Sequence, residues 1–274
     1  MNENLFDMTG KVAVVTGSSK NGGIGYAIAT AFAQHGADVV VTDIDDAGAK
    51  TTGEEIKAMG RKTAVIHCDI SSPEEVENLF AEVDKHFDKI DILVNVPFAF
   101  PSRVRPHDLS LEAWNKTLSV SLTGYFLCAQ QALRRFLKQG SGGCILNIGS
   151  IAGMSALGRG NFPYSCAKGA VTQMTKELAL EYAQDGIRVN AIIPAQVFTP
   201  GLKKQLEVNP AFSKSMTRFM AGIPLGRLLE PEEFQGPAVF LCSKAASAVT
   251  GVLLPVDGGN LAMNPGGSIV WPKD

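Results

Sequence analysis

The stretch Thr16-Gly17-Ser18-Ser19-Lys20-Asn21-Gly22-Gly23-Ile24-Gly25 decides the reading of this chain, through what stands on either side of it. Before it runs KVAVVTG (11–17), short, apolar and β-branched, as a buried strand is. After it runs IGYAIATAFAQHG (24–36), whose apolar residues recur at helical spacing. Glycines between a strand and a helix permit a tight turn and let phosphate oxygens approach the N–H groups of a helix N-terminus, where the peptide dipoles favour an anion. Gly17, Ser19, Asn21, Gly23, Ile24 and Gly25 are therefore candidate dinucleotide-binding residues. The next apolar run, ADVVVTD (37–43), ends in Asp43, roughly twenty residues past the last glycine, where a carboxylate accepts hydrogen bonds from an adenosine ribose. Asp43, with Ile44 beside it, points to NAD rather than NADP, because its charge repels a 2′-phosphate. Lys20 in the loop pulls the other way, and a plain strand-end turn is the competing reading of Asp43.

Outward from this unit the same alternation continues. RKTAVIHCD (61–69), DILVNV (91–96), GCILNIG (143–149), IRVNAII (187–193) and GVLLPVD (251–257) are strand-like, with longer segments of helical spacing between them, such as 73–87. Runs so continuously apolar need helices on both faces. The expectation is an α/β fold: a doubly wound parallel sheet of about seven strands in a three-layer αβα sandwich. Ser72-Pro73-Glu74-Glu75 and Glu230-Pro231-Glu232-Glu233 read as helix starts, and Gly36, Gly60 and Gly186 as stops. No linker or repeat divides the strands, so one domain over 1–274 is expected, with a substrate-loop insertion at about 195–224 and a tail at 260–274 that carries Trp271. That insertion, which holds Phe212, follows a strand's carboxyl end, where open α/β sheets bind ligands.

With 274 residues and 45% apolar content the chain can bury a large core, and a net charge of −2 provides no basic field for nucleic acid or anionic membrane. A small-molecule partner is favoured. No segment approaches the ~20 apolar residues of a membrane span, and 1–11 lacks the apolar core of a signal peptide, so a cytoplasmic protein is expected. Five scattered cysteines without a Cys-x-x-Cys pair indicate neither zinc nor disulfides, and no metal site is expected.

The chemistry lies further along. Tyr164 and Lys168 stand one turn apart on one face of a helix expected to run to about 183. A free phenol titrates near ~10, but a neighbouring ammonium lowers it, so that Tyr164 can take a hydroxyl proton during oxidation and return it during reduction. Ser150, ending the fifth strand run, can hydrogen-bond the substrate oxygen. Asp69 with Ile70, and Asn95 with Val96, fall at the sheet's carboxyl edge, where they can touch the cofactor or simply cap turns.

Taken in order, the glycine loop, Asp69, the strand ending in Asn95, ILNIGS with Ser150, Tyr164 to Lys168, IRVNAIIP and the VTG…VDGG segment ending at Gly259 resemble the short-chain dehydrogenase/reductase family in its classical form, along nearly the whole chain. The resemblance implies a Rossmann fold, an NAD(P)-dependent oxidoreductase and a homotetramer. It also implies that Lys168 binds the nicotinamide ribose, that Thr199 after Pro194 contacts the carboxamide, and that Val197 supplies backbone contacts. The chain departs from the family in four places. Its glycine loop is longer; Asn95-Val96-Pro97-Phe98 replaces Asn-Asn-Ala-Gly; Ala195 replaces a glycine; and Ser121 stands where a fourth catalytic residue, an asparagine, would hold a relay water. Phe98 is expected to reshape the pocket floor. Arg159 and Asn161, preceding Tyr164, and Arg103, Arg105 and His107, following Phe98, suggest a polar or anionic substrate. The function expected is reversible oxidation of a secondary alcohol (a sugar, polyol or cyclic alcohol) to a ketone or lactone. The competing readings are an NADP-dependent carbonyl reductase and a dinucleotide-binding protein without catalysis.

Overall fold

The computed structural model describes residues 4–21, 23–99, 104–158, 160–208 and 216–264, without the side chains of Gln205 and Arg218. Arg103, Arg159, Phe212 and Trp271 lie outside the described residues.

Each apolar run forms a strand: β1 Val12–Thr16, β2 Asp38–Asp43, β3 Thr63–His67, β4 Ile92–Asn95, β5 Gly143–Ile148, β6 Ile187–Pro194 and β7 Leu253–Val256. They join one parallel sheet in the order β3-β2-β1-β4-β5-β6-β7. The helices are α1 Ile24–Gln34, α2 Asp46–Ala58, α3 Pro73–His86, α4 Leu111–Leu118, α5 Gly124–Gln139, α6 Phe162–Glu181, α7 Pro200–Val208, α8 Met216–Ala221 and α9 Gln235–Cys242. Alternate strand residues feed two cores. Val15, Val39 and Leu146 face one cluster with Ile28 and Phe32 of α1 and Leu241 of α9. Val14, Leu93 and Ile145 face the other with Phe80 of α3 and Leu133 and Phe136 of α5. The inner strands are thus covered on both sides, which is why they read as continuous apolar runs, while the edge strands β3 and β7 stay partly exposed.

Local signals end the helices as expected. Ser72 Oγ accepts the Glu75 N–H at the start of α3, and the Glu230–Glu233 capping box opens a short 3₁₀ turn that leads into α9. Between α4 and α5 the helix continues through a π turn, Ser119–Thr123. Ser121 within it and Tyr125 in the first turn of α5, four residues apart on one face, are both fully buried. Strand order reverses between β1 and β4, so the loops after β1, β4, β5 and β6 converge at the carboxyl edge.

Candidate active site

The glycine loop is bound to β2 before any ligand is considered. Gly17 N donates to Thr42 O at 2.8 Å, and Ser19 N donates to Asp43 Oδ2 at 3.0 Å. At Gly25 a side chain is impossible without rearrangement, since a Cβ would lie 2.0 Å from Gly17 O. Gly17 (φ +66) lies against Pro97, whose ring would be 2.9 Å from a Cβ there, so the unusual proline after β4 packs onto the loop. Gly23 precedes α1 and abuts the Thr199 side chain. Ile24 is buried at the start of α1, which has no acidic residue in its first turn, so its N–H dipoles face no competing negative charge. This cradle fits a pyrophosphate: a helix N-terminus approached over glycines that any side chain would block.

Beside it, Asp43 is partly exposed and also accepts the Asp45 N–H at 3.0 Å. Asn21 is held by Asp45, its amide donating at 3.0 Å. Lys20 forms an ion pair with Glu55, whose other oxygen accepts the Tyr26 hydroxyl at 2.7 Å. The loop cation is therefore already paired, while Asp43, Asp45 and Asp46 gather at the β2–α2 turn with the exposed Ile44. Asp69 caps its own turn, one oxygen accepting from Ser71 N at 2.9 Å and Ser71 Oγ at 2.7 Å. Ile70 is buried against Gly124.

Asn95 turns inward. Fully buried, its amide donates to Asn147 Oδ1 at 3.0 Å, and Asn147 donates to Thr175 Oγ1 at 3.0 Å. Asn95 pairs directly with Asn147 in the parallel register, so this chain of amides ties β4, β5 and α6 together from inside. Val96 N donates to Thr16 Oγ1 at 3.2 Å. Pro194 closes β6, Val197 bridges to Leu229, and Thr199 Oγ1 accepts the Leu202 N–H as it caps α7.

On the β5–α6 side, Ser150 follows β5 in extended conformation, and its hydroxyl accepts the Ala152 N–H at 3.1 Å. It also lies close enough to Tyr164, in the first turn of α6, to lower the titration of that phenol. Phe98 packs edge-on against the Tyr164 ring, centroids 5.8 Å apart. Asn161 precedes α6 and lines a cavity of about 430 Å³ with Arg105, Leu157, Phe162 and Ser165.

Contrary to the lowered phenol expected beside Lys168, burial holds Tyr164 above its ordinary value, with the Ser150 side chain opposing it. Lys168 Nζ lies 5.9 Å from the Tyr164 ring centroid and donates instead to Ile148 O at 2.7 Å and Tyr125 Oη at 3.0 Å. Burial alone pushes this ammonium down, to about 7. Ser121 is fully buried and accepts the Ala99 N–H at 3.2 Å. Tyr125 has no motif to announce it, and among the described site residues it is the one sequence reasoning missed.

A family model described as enoyl-(acyl carrier protein) reductase matches residues 17–260. Glucose 1-dehydrogenase 2 of Bacillus subtilis (strain 168) is 40% identical over 255 residues, covering 92% of this chain and 95% of that protein. The chain belongs to the short-chain dehydrogenase/reductase family. Cis-4-hydroxycyclohexanecarboxylate dehydrogenase of Sinomonas cyclohexanicum is 37% identical, over 92% of this chain and 97% of that protein. A structure from Agrobacterium tumefaciens with bound NADP is 33% identical at a TM-score of 0.83, covering 95% of this chain and 100% of that one. The sheet order and flanking helices described above are the Rossmann arrangement of such relatives, and the chain is an NAD(P)-dependent oxidoreductase acting on CH–OH groups. Among the described residues no cluster of three or more His, Cys, Asp or Glu could hold a metal, and no helix is long and apolar enough to cross a membrane.

Proposed function

We propose that this short-chain dehydrogenase oxidises a secondary alcohol on a sugar, polyol or ring, with NAD as cofactor and Tyr164 as the acid/base group. The observation that carries the reading is the approach of Ser150 to Tyr164 where the end of β5 meets the first turn of α6, close enough to lower the titration of that phenol. Bound NAD⁺ supplies the hydride acceptor. The protein's own part is positional and protonic. Ser150 holds the substrate oxygen and the phenol in one hydrogen-bonded line, and Tyr164 Oη receives the hydroxyl proton as the alcohol becomes a carbonyl, returning it in the reverse direction. Lys168 holds the nicotinamide ribose and adds positive charge as it does so. Gly17 to Gly25 hold the pyrophosphate, and Asp69, Ile70, Val96, Pro194, Val197 and Thr199 frame the remainder of the cofactor.

NAD is favoured over NADP because three carboxylates crowd the β2–α2 turn while Lys20 is bound to Glu55. A 2′-phosphate there meets the repulsion of Asp43 and Asp45, while the nearby described basic groups Lys20 and His67 are already paired, with Glu55 and Asp46. Arg105 and Asn161 at one cavity support a polar or anionic alcohol, in keeping with a relative named for a hydroxy acid. One domain over 1–274, a homotetramer and a cytoplasmic setting follow the family. Exposed apolar side chains on the α4, α5 and α6 surface, such as Leu111, Phe126 and Leu180, suit subunit contact, and light scattering reads the assembly.

Reduction of NAD and NADP is measured across glucose, glycerol and cis-4-hydroxycyclohexanecarboxylate, with Tyr164→Phe alongside. Turnover with NAD that falls about 10²–10⁴-fold in the variant, with NADH binding unchanged, is the expected result. Turnover surviving in Tyr164→Phe refutes the assignment, and a preference for NADP refutes the reading of Asp43.

A further inference from the structure

The position at which the family resemblance implies an asparagine serving the lysine is Ser121, and its hydroxyl is engaged elsewhere, accepting the Ala99 N–H at 3.2 Å. One residue into α5, beyond the π turn, stands Tyr125, with no exposed surface. Its hydroxyl accepts from Lys168 Nζ at 3.0 Å and donates to Ile148 O at 3.2 Å, while Lys168 Nζ donates to that same carbonyl at 2.7 Å. The three groups close a triangle between α5, α6 and the end of β5.

We propose that Tyr125 is the positioning residue for Lys168, supplying through a phenol on α5 the support that Ser121 directs to the Ala99 loop instead. This rests on the assignment of Tyr164 and Lys168 above. The geometry gives the triangle a purpose. Ile148 stands two residues before Ser150 on the same strand end, and Lys168 stands one turn after Tyr164 on the same helix. Fastening Lys168 to Ile148 O and Tyr125 therefore sets the register of the helix that carries the acid/base group against the strand end that carries Ser150. A phenylalanine at 125 would fill the same space but leave the ammonium one acceptor fewer.

The phenol is suited to holding rather than ionising. Its single proton is committed to Ile148 O, and burial keeps its titration well above the usual phenol range. Besides Lys168 itself, the titratable groups that act on Tyr125 are Tyr164 on α6 and Cys128 one turn along α5, neither charged at neutral pH. Neutral acceptors are thus what favour the charged form of a lysine that burial opposes.

The alcohol turned over fastest in the panel above is used to record kcat for oxidation against pH in the parent, Tyr125→Phe and Ser121→Ala. Loss of the acceptor disfavours the ammonium, so less positive charge stands near Tyr164 and its proton is held more tightly. In Tyr125→Phe the midpoint of the rising limb should move upward by about half a pH unit or more, and kcat at pH 7 should fall roughly three- to tenfold, with KM little changed. A purely structural role lowers kcat without moving the midpoint, and that result overturns the proposal. Ser121→Ala should change KM through the Ala99 loop while the midpoint stays put; a midpoint that moves in Ser121→Ala and not in Tyr125→Phe also overturns it.

A measurement on the parent decides the matter if Tyr125→Phe fails to fold. With ¹³Cζ-tyrosine and ¹³Cε-lysine labels, one of the four tyrosines should stay protonated at high pH yet shift at the pH where a buried lysine titrates. If no tyrosine follows that lysine, the contact is absent and the proposal fails. This measurement needs no turnover, so it stands apart from the Tyr164→Phe result, whose failure removes the underlying assignment instead.

Discussion

At the β1–β2 end of the sheet, polar groups meet backbone within reach of a single loop: Ser19 N on Asp43, Gly17 N on Thr42 O, and Gly48 N on Asp45. At the β4–β5 end they meet one another across the fold, as Asn95 meets Asn147 and Lys168 meets Tyr125, between elements far apart in the chain. The first region is a preformed surface for a ligand common to the whole family. In the second, interior side chains set where the reacting groups stand, and the residues read as departures from the family pattern there, Phe98 and Ser121, change side chains, where the first region differs in loop length. Cofactor recognition and catalytic positioning are thus built from different materials, and substitutions should separate them.

The largest effect is expected at Gly25. Gly25→Ala drives a methyl group into Gly17 O, and overpacking of this kind costs roughly 1–3 kcal/mol, much of it borne by the loop that must receive the phosphates. NADH affinity by fluorescence titration should fall tenfold or more, whereas Gly236→Ala, where a Cβ meets open space, should leave it unchanged. Equal behaviour of the two variants would break the idea of a preformed cradle. Next, Asp43→Ser should weaken NAD about tenfold and improve NADP, since a charged hydrogen-bond partner and a repulsion are removed together. Kd values for both cofactors check this, and an unchanged ratio would mean that the acidic turn does not select.

On the β4–β5 side, Lys168→Met sharpens the contrast through stability. Burial depresses the lysine from 10.5 to about 7, so between those values the unfolded chain binds a proton that the folded protein does not, and stability rises with pH. Below about 7 both states carry the charge and the burial penalty is fully present. The advantage of Lys168→Met in urea melts should therefore be largest near pH 7 and shrink toward pH 10; a constant difference would contradict the buried-lysine reading. The smallest effect belongs to Phe98→Ala. Losing an edge-on aromatic contact worth about 0.5–1.5 kcal/mol should change KM some two- to tenfold and leave NADH affinity alone.

Much of this was legible before any coordinates. The strand runs, the capping at Ser72 and the stops at Gly36 and Gly60 are local signals that survive into the fold because neighbouring residues alone decide them. The position of Asp43 at the end of β2 was legible for the same reason. The direction of the Asn95 side chain was not: in a parallel register it stands opposite Asn147 and donates to that amide. Nor was the destination of Lys168. Its spacing from Tyr164 places both on one helical face, but a flexible four-carbon side chain goes where acceptors are, and those acceptors come from β5 and α5.

The sequence by itself determined that this is a doubly wound α/β chain with a glycine loop between its first strand and helix, an aspartate ending the second strand, and a serine, tyrosine and lysine in family order. These depend on periodicity, on glycines that admit no side chain, and on spacing along single elements. Only the tertiary structure decided what the lysine touches, where Ser121 spends its hydroxyl and how Phe98 meets Tyr164. Each of those is a contact between segments that a π turn, a strand register and a packed interior bring together, and pairings of that kind leave no periodic trace in the chain.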